Sequence, residues 1–392
     1  MLRLNKHEDK RIRSGHPWIY SNEINSKETP LKTFTAGDEV IVFAHDGSQL
    51  GKAYINPHSL IAGRIYSRDP KQALDQAFLQ EMFQSALKRR QRIYDAPFYR
   101  LIFSEADGLP GLVVDRYDQH LVVQINTAGM ELKKDIIAAA LLAVLPETQS
   151  ILLRNDSPIR LQEGLTNYIE PMFGTPPDTM LVLENGVKFN APLANGQKTG
   201  WFYDHRDNRA SLKKYVKDRR VLDVFSYLGA FGIQAATFGA AQVDCIDASK
   251  TACEFIRENA KLNNVADKVK AINADAFDAL KALVAEKKTY DVIILDPPAF
   301  VKKMKDRKEG FIAYQRLNEL AMKLLAPQGI LVSCSCSMHI SVEDLTLILQ
   351  RASQKSYCPM QLLERGHQGM DHPIHLNIPE TDYLKAIVVG RT

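Results

Sequence analysis

The sequence predicts an α/β protein. Its C-terminal half is a mostly parallel, doubly wound sheet, preceded by a β-rich module and a small central α+β domain. Three observations carry this. Strand and helix patterns alternate beyond about residue 176, and repeated βα units of this length specify parallel strands joined by crossover helices. The first 70 residues are instead broken into short apolar runs by turn signals. Between these halves lies "FGTPPDT" (Phe173 to Thr179), where Pro176 and Pro177 forbid regular structure. At 392 residues the chain exceeds one average domain, and the boundaries fall at 1–70, 71–175 and 176–392.

In the first segment, "TAGDEVIVFAHDGSQLGKAYI" reads as strand, an Asp46-Gly47 turn and strand, which is a hairpin signature. "LIAGRIYSRD" adds a further strand. Basic residues Arg3, Lys6, Lys10, Arg11 and Arg13 stand at its entrance, followed by Trp18 and Tyr20. In the central segment, "DQAFLQEMFQSALKRRQRIY" has helical apolar spacing and ends in the cations Lys88, Arg89, Arg90 and Arg92. "GLVVDRYDQHLVVQI" is a strand pair turned at Tyr117-Asp118-Gln119, and a helix over about 130–145 and the strand "SILLR" follow. The C-terminal strands are "RRVLDV", "AQVDCIDAS", "VKAINADAF", "YDVIILDPPAF" and "ILVSCSCS", with helices between them.

Composition narrows the class. With 45% hydrophobic and 24% charged residues the chain can bury a large core, and a formal charge of +4 permits a polyanionic partner without demanding one. Five cysteines, none before residue 245, argue against a secreted disulfide framework and for a reducing cytoplasm. The N-terminus "MLRLNKHEDKRIRSG" has no apolar core of a signal peptide. The longest apolar run, Ile136 to Leu145, is half the length of a membrane span and reads as a buried helix.

Ligands of doubly wound sheets bind outside the carboxyl ends of the strands. The first strand ends in Asp223, and its loop "DVFSYLGAFG" holds Gly229 and Gly232, which let backbone approach a ligand. It is neither the dinucleotide fingerprint nor a P-loop, and a plain tight turn accounts for it equally well. The second ends in Asp247, placed to accept from ribose hydroxyls or to cap the next helix. The third ends in Asn273 and Asp275, which fit an adenine amino group or, for Asp275, another N-cap. The fourth ends "DPPAF": Pro297 and Pro298 hold Asp296 rigidly, as suits an acceptor for a planar base. Beyond it "VKKMKDRK" puts five cations beside the expected cleft, where phosphate contact is favoured.

The fifth strand carries Cys334 and Cys336. A disulfide between them is poor geometry, since Cα atoms two apart on a strand stand about 6.5–7 Å from each other. Zinc would need two further ligands, so no metal is expected. Free cysteine is often simply buried. Yet a thiol at the mouth of the cleft beside a rigid aspartate is placed as a nucleophile.

"VLDVFSYLGAFG", "CIDAS", "NADAF", "DPPAF" and "VSCSCS" resemble successive motifs of class I S-adenosylmethionine-dependent methyltransferases. More narrowly, the chain is similar to the bacterial large-subunit ribosomal RNA 5-methylcytosine methyltransferases. "HPWIY" resembles their N-terminal PUA-type RNA-binding module, "SEADGLPGLVVDRY" their central domain, and "NGQKTGWFYDHR" and "DHPIHLNIPETDYLK" their flanking signatures. The resemblance implies a Rossmann-like catalytic domain, S-adenosylmethionine as methyl donor, ribosomal RNA as partner, no membrane, and an assembly in which a homodimer is allowed. It further implies that Gln197, Lys198 and Thr199 line the cofactor's amino-acid end. Asp223, Phe225, Tyr227 and Gly229 would face its methionine part, Asp247 the ribose and Asp275 the adenine. Asp296 would hold the target base at the cofactor's edge, Pro297, Phe300, Lys302 and Lys303 would meet RNA, and Cys334, in its Ser-Cys-Ser setting, would be the nucleophile. One departure is the absence of the cysteine that many RNA 5-methylcytosine enzymes carry after the proline of the fourth motif.

The implied chemistry is thiolate attack at carbon-6 of cytosine, which activates carbon-5 for methylation, with a protonated Asp296 at N3. An ordinary thiol of pKa about 8.5 is little ionised at pH 7, so the site must assist it. Two other readings remain open. D-P-P followed by an aromatic also marks amino-group methyltransferases, which need no cysteine. A non-catalytic RNA-binding assembly factor would keep the pocket without the chemistry.

Overall fold

The computed structural model of the protein describes residues 1–193 and 199–392, which divide into two compact units. The first comprises Met1–Asp178, Pro192–Tyr203 and Met370–Thr381; the second holds Thr179–Ala191, Asp204–Gly369 and Asp382–Thr392. The chain first passes from one unit to the other between Asp178 and Thr179, and two later segments belong to the first unit.

Two sheets build that first unit. Strands β1 (Leu2–Arg3), β2 (Trp18–Tyr20), β3 (Glu39–Phe43), β4 (Gln49–Ile55) and β5 (Ile61–Ser67) lie in the order β1-β3-β4-β5-β2. The β3–β4 hairpin turns at Asp46-Gly47, with Gly47 at φ 88° as such turns require. The second sheet runs β10-β9-β8-β7-β6, from β6 (Phe98–Phe103), β7 (Leu112–Tyr117), β8 (His120–Ile125), β9 (Ser150–Asn155) and β10 (Tyr168–Phe173). Helices α1 (Gln76–Gln91) and α2 (Lys134–Val144) press Phe83, Leu87, Ile137 and Leu141 onto it. Tyr54 and Tyr66 of the first sheet join the same core, and the Tyr54 hydroxyl donates to the Pro110 carbonyl at 2.6 Å. Apolar packing is thus continuous across residue 70.

The basic clusters at Arg3 to Arg13 and Lys88 to Arg92 are partly engaged in internal ion pairs. Arg90, 1% exposed, forms a bidentate pair with buried Asp107 at 2.7 and 2.6 Å, and Arg89 reaches the same carboxylate at 2.8 Å. Near the N-terminus Arg3 pairs with Glu28, Arg11 with Glu23, and Arg13 with Asp9. Runs of cations in sequence reveal nothing about acids that the fold delivers from elsewhere, and here those acids take the guanidiniums. Lys6, Lys10, Lys88 and Arg92 remain exposed.

The second unit begins with a hairpin, β11 (Thr179–Glu184) and β12 (Val187–Pro192), turned at Asn185-Gly186 with both residues at positive φ. Its centre is a seven-stranded sheet ordered β15-β14-β13-β16-β17-β19-β18. The strands are β13 (Arg220–Val224), β14 (Gln242–Asp247), β15 (Val269–Asn273), β16 (Tyr290–Leu295), β17 (Leu325–Ser335), β18 (Met360–Gly366) and β19 (Lys385–Arg391). The first five pair in parallel, and β19 joins β17 and β18 antiparallel. Short helix α3 (Arg206–Ser211) precedes the sheet; α4 (Ala230–Thr237), α5 (Lys250–Leu262), α6 (Ala276–Ala285), α7 (Arg307–Leu324) and α8 (Val342–Ser356) connect its strands. This is the doubly wound, Rossmann-like architecture expected. The strand order reverses at β13, so the ends of β13, β14 and β16 define the crevice. Among the described residues no helix is long and apolar enough to cross a membrane.

Candidate active site

The loop after β13 is held in a backbone shape that side chains resist. Phe225 (φ 65°), Tyr227 (φ 49°) and Gly229 (φ 80°) alternate into the left-handed region, which costs energy at the two aromatic positions. Hydrogen bonds at both flanks compensate. The Ser226 hydroxyl donates to the Asp223 carbonyl at 2.7 Å, and the Tyr227 N–H donates to Asp247 Oδ2 at 2.9 Å. Gly232 lets α4 lie against the sheet: a Cβ there would stand 2.4 Å from Cys245 Sγ and 3.0 Å from Asp223 Oδ2.

Asp223 is completely buried, and one oxygen, Oδ2, accepts the Gly232 N–H at 2.9 Å. The other, Oδ1, has no hydrogen-bond partner among the described residues. Burial, abetted by the nearby charges of Asp296 and Asp247 and opposed by the Gly232 bond, pushes the carboxyl up to about 7. A partnerless acceptor at the crevice is what a cationic or hydrogen-donating ligand would satisfy. Asp247 stitches the two loops together, taking Tyr227 N–H on Oδ2 and Ser249 N–H on Oδ1 at 2.8 Å. Each carboxylate oxygen keeps a further lone pair for hydroxyls. Exposed Asp275 caps α6, its Oδ1 accepting from the backbone of Phe277 and Asp278 at 2.9 and 3.1 Å. Asn273 donates to the carbonyls of Asp247 and Ala248.

At the end of β16, Asp296 meets a residue to which the sequence motifs assign no role. His205 Nε2 lies 3.1 Å from Asp296 Oδ1, and its Nδ1 lies 3.1 Å from Asn208 Nδ2. Burial works against a charged imidazole here, but the charge and hydrogen bond of Asp296 outweigh it and raise the pKa above the usual value. The signal was its place within "FYDHR", one residue from Asp204, whose carboxylate accepts from Tyr383 Oη at 2.5 Å. Phe300 packs tilted against Tyr314 with ring centroids 4.7 Å apart and meets Phe225 edge-on at 6.4 Å, so it supports the loop while half-buried. Pro297 is buried, whereas Lys302 and Lys303 are exposed at the start of the connection to α7.

The two thiols at the end of β17 differ sharply. Cys334 pairs in register with Ala386 and has no exposed surface; burial, then the Asp296 charge, pushes its thiol well above the ordinary value. Its Sγ, an Asp296 oxygen and a His205 nitrogen lie within 4.8 Å of one another. A metal would have to break the His205–Asp296 hydrogen bond and ionise that thiol, so the donor set fits a hydrogen-bonded chain better than an ion. Cys336 lies just past the strand and is half-buried. It too stands between serines, Ser335 and Ser337, whose hydroxyls both meet Tyr314 Oη, at 3.0 and 2.9 Å. The sequence expectation assigns the nucleophile to Cys334; of the two thiols, Cys336 is the one with exposed surface.

Thr199 belongs to the first unit, where its carbonyl accepts from Tyr117 Oη at 3.0 Å. Among the described residues its hydroxyl, which is buried, has no hydrogen-bond partner. Gln197 and Lys198 lie outside the described residues.

Residues 163–375 match a family described as S-adenosylmethionine-dependent methyltransferase, and residues 2–68 match a PUA-like domain. A ribosomal RNA large subunit methyltransferase I from Pseudoalteromonas atlantica is 35% identical over 389 residues, covering 98% of each chain. The protein of that name from Shewanella frigidimarina is 36% identical over 392 residues, covering 99% of this chain and 98% of its own. Among solved structures, a protein from Streptococcus mutans assigned as a SAM-dependent methyltransferase superposes with a TM-score of 0.83 at 22% identity, over 99% of both chains. Another, solved in complex with SAH, gives 0.84 at 22% identity and the same coverage. These two likenesses establish the fold.

Proposed function

The chain belongs to the S-adenosylmethionine-dependent methyltransferase family, and from that premise we propose that it methylates carbon-5 of a cytosine in large-subunit ribosomal RNA through a covalent cysteine–base intermediate. The RNA class follows the relatives' names and the PUA-like match. The observation that carries the carbon-5 chemistry is a half-buried thiol, Cys336, just past β17, the strand that neighbours the one ending in Asp296. An amino-group methyltransferase has no use for it.

Bound S-adenosylmethionine supplies an electrophilic methyl group on a sulfonium. The partnerless Asp223 Oδ1, the lone pairs of Asp247 and the left-handed loop between them suit its methionine and ribose parts; Asp275 stands where the adenine edge is expected. Gln197, Lys198 and Thr199 are assigned to its amino-acid end on the family resemblance alone. Lys302 and Lys303 offer exposed charge to phosphate, and Pro297 and Phe300 shape the floor.

Cys336 is the nucleophile in this reading, in place of Cys334, because it has surface to present. Its thiolate adds to carbon-6, and the displaced electron pair makes carbon-5 nucleophilic toward the methyl group. The proton that stabilises N3 is held in the His205–Asp296 pair rather than on an isolated carboxyl. Loss of the carbon-5 proton then restores the ring and expels the thiolate. Incubating the protein with labelled methyl donor and unmodified large-subunit RNA, then digesting to nucleosides, tests the reading. It predicts labelled 5-methylcytosine; label in an amino-methylated base, or none in RNA, would overturn it.

A further inference from the structure

Lys385 is the charge in the second unit with the least obvious reason to be buried. It opens β19, is 4% exposed, and its Nζ donates to the carbonyls of Ser337 at 2.7 Å and Tyr383 at 2.8 Å. Lysines this deep are normally paired with a carboxylate, because an uncompensated ammonium in low dielectric is costly. Among the described residues Lys385 forms no ion pair with an acid. The acids it feels at longer range are Asp382, which is exposed, and Asp344, which is committed to Arg307 at 2.7 Å. Burial brings the ammonium down to about 8, and the neighbour that most favours its charged form is Cys336.

Backbone register explains the proximity. Lys385 pairs with Ser335 across β17 and β19, and its Nζ is anchored on the carbonyl of Ser337. The two residues that flank Cys336 therefore both hold Lys385. The titratable groups that interact electrostatically with this thiol include the Lys385 ammonium from β19, the Tyr314 phenol from α7 and the Cys334 thiol of β17. The last two are pushed upward by burial and stay neutral, so neither competes as a counter-charge.

We propose that Lys385 is a positioning residue whose fixed ammonium is the counter-ion of a Cys336 thiolate, making this cysteine reactive before the base arrives. The thiol proton leaves to water, and the resulting ion pair satisfies both members. This rests on the reading of Cys336 as nucleophile, but it is tested separately. Peptide-resolved alkylation with iodoacetamide, followed from pH 6 to 9.5 on the intact folded chain, reads the ionisation of Cys336 directly. Lys385→Met is expected to slow its alkylation at pH 7 by about tenfold and to move the midpoint up by about one pH unit, while Lys385→Arg keeps most of the wild-type behaviour. An unchanged profile in Lys385→Met overturns the proposal, and so does an equal loss in Lys385→Arg, which would signal packing rather than charge. Methyl transfer by Cys336→Ala separates the two ideas. Activity in that variant would remove the nucleophile reading even if the alkylation shift appears, whereas an inactive Cys336→Ala with a flat Lys385→Met profile would remove only the role of Lys385.

Discussion

Replacing Asp223 by asparagine should stabilise the ligand-free protein at alkaline pH while weakening its hold on S-adenosylmethionine. The side chain is fully buried, one oxygen has no partner among the described residues, and burial pushes its pKa up to about 7 from an ordinary 3.8. A carboxyl whose folded pKa exceeds its unfolded value contributes stability that is full below about pH 4 and is lost as pH rises to about 7. Between pH 5 and pH 8 about two pH units of that window are crossed, worth ~3 kcal/mol at ~1.4 kcal/mol each. Asparagine has no such cost, and its amide oxygen can keep the Gly232 bond. Both tryptophans, Trp18 and Trp201, lie in the first unit, so fluorescence would miss the effect. Hydrogen exchange of β13 and β16 amides under mild denaturant is the suitable assay. The stability advantage of Asp223→Asn should widen by about 3 kcal/mol from pH 5 to pH 8, and parallel pH dependences in the two proteins would refute the argument.

Further outcomes follow from the same geometry. Asp247→Ala removes the acceptor that joins two loops and should weaken cofactor binding by about 1–3 kcal/mol in calorimetry; wild-type affinity would sink the assignment. Arg90→Ala removes the bidentate partner of buried Asp107 and leaves it only the half-exposed Arg89, and should cost about 3 kcal/mol of stability in the first unit with little change in the salt dependence of RNA binding. Replacing Lys302 and Lys303 with glutamine should instead reduce that log–log salt slope by about 0.7 for each phosphate no longer neutralised, leaving thermal stability unchanged.

What the sequence conveyed and what it withheld divide along a physical line. Parallel strands buried on both faces read as continuous apolar runs, so β13 to β17 and their loops are legible, and Asp223, Asp247 and Asp296 fall at strand ends. The β11–β12 hairpin carries an Asn185-Gly186 turn as plain as Asp46-Gly47, yet its place directly after the proline linker disguises it as part of the connection. Strands β18 and β19 are also hard to read. The first alternates too weakly to signal, and the second begins where a motif resemblance ends. Burial is the quantity hardest to extract. Cys334 and Cys336 share flanking serines and differ only in which one the strand's end exposes. Arg89 and Arg90 read as part of an open run of cations until Asp107 is brought beside them. His205 and Lys385 gain their meaning from neighbours across the fold, Asp296 and Cys336, that no local pattern announces.

The central claim is a covalent bond between one particular thiol and carbon-6 of a cytosine in RNA. Ribosomal RNA fragments carrying 5-fluorocytosine trap such a bond, because fluorine cannot leave as a proton does. Digesting the denatured adduct and sequencing its cross-linked peptide by mass spectrometry names the cysteine. The account predicts an adduct on the peptide containing Cys336 that survives Cys334→Ala and is lost in Cys336→Ala. An adduct that disappears in Cys334→Ala and persists in Cys336→Ala, or none with either protein alongside an amino-methylated product, would contradict it.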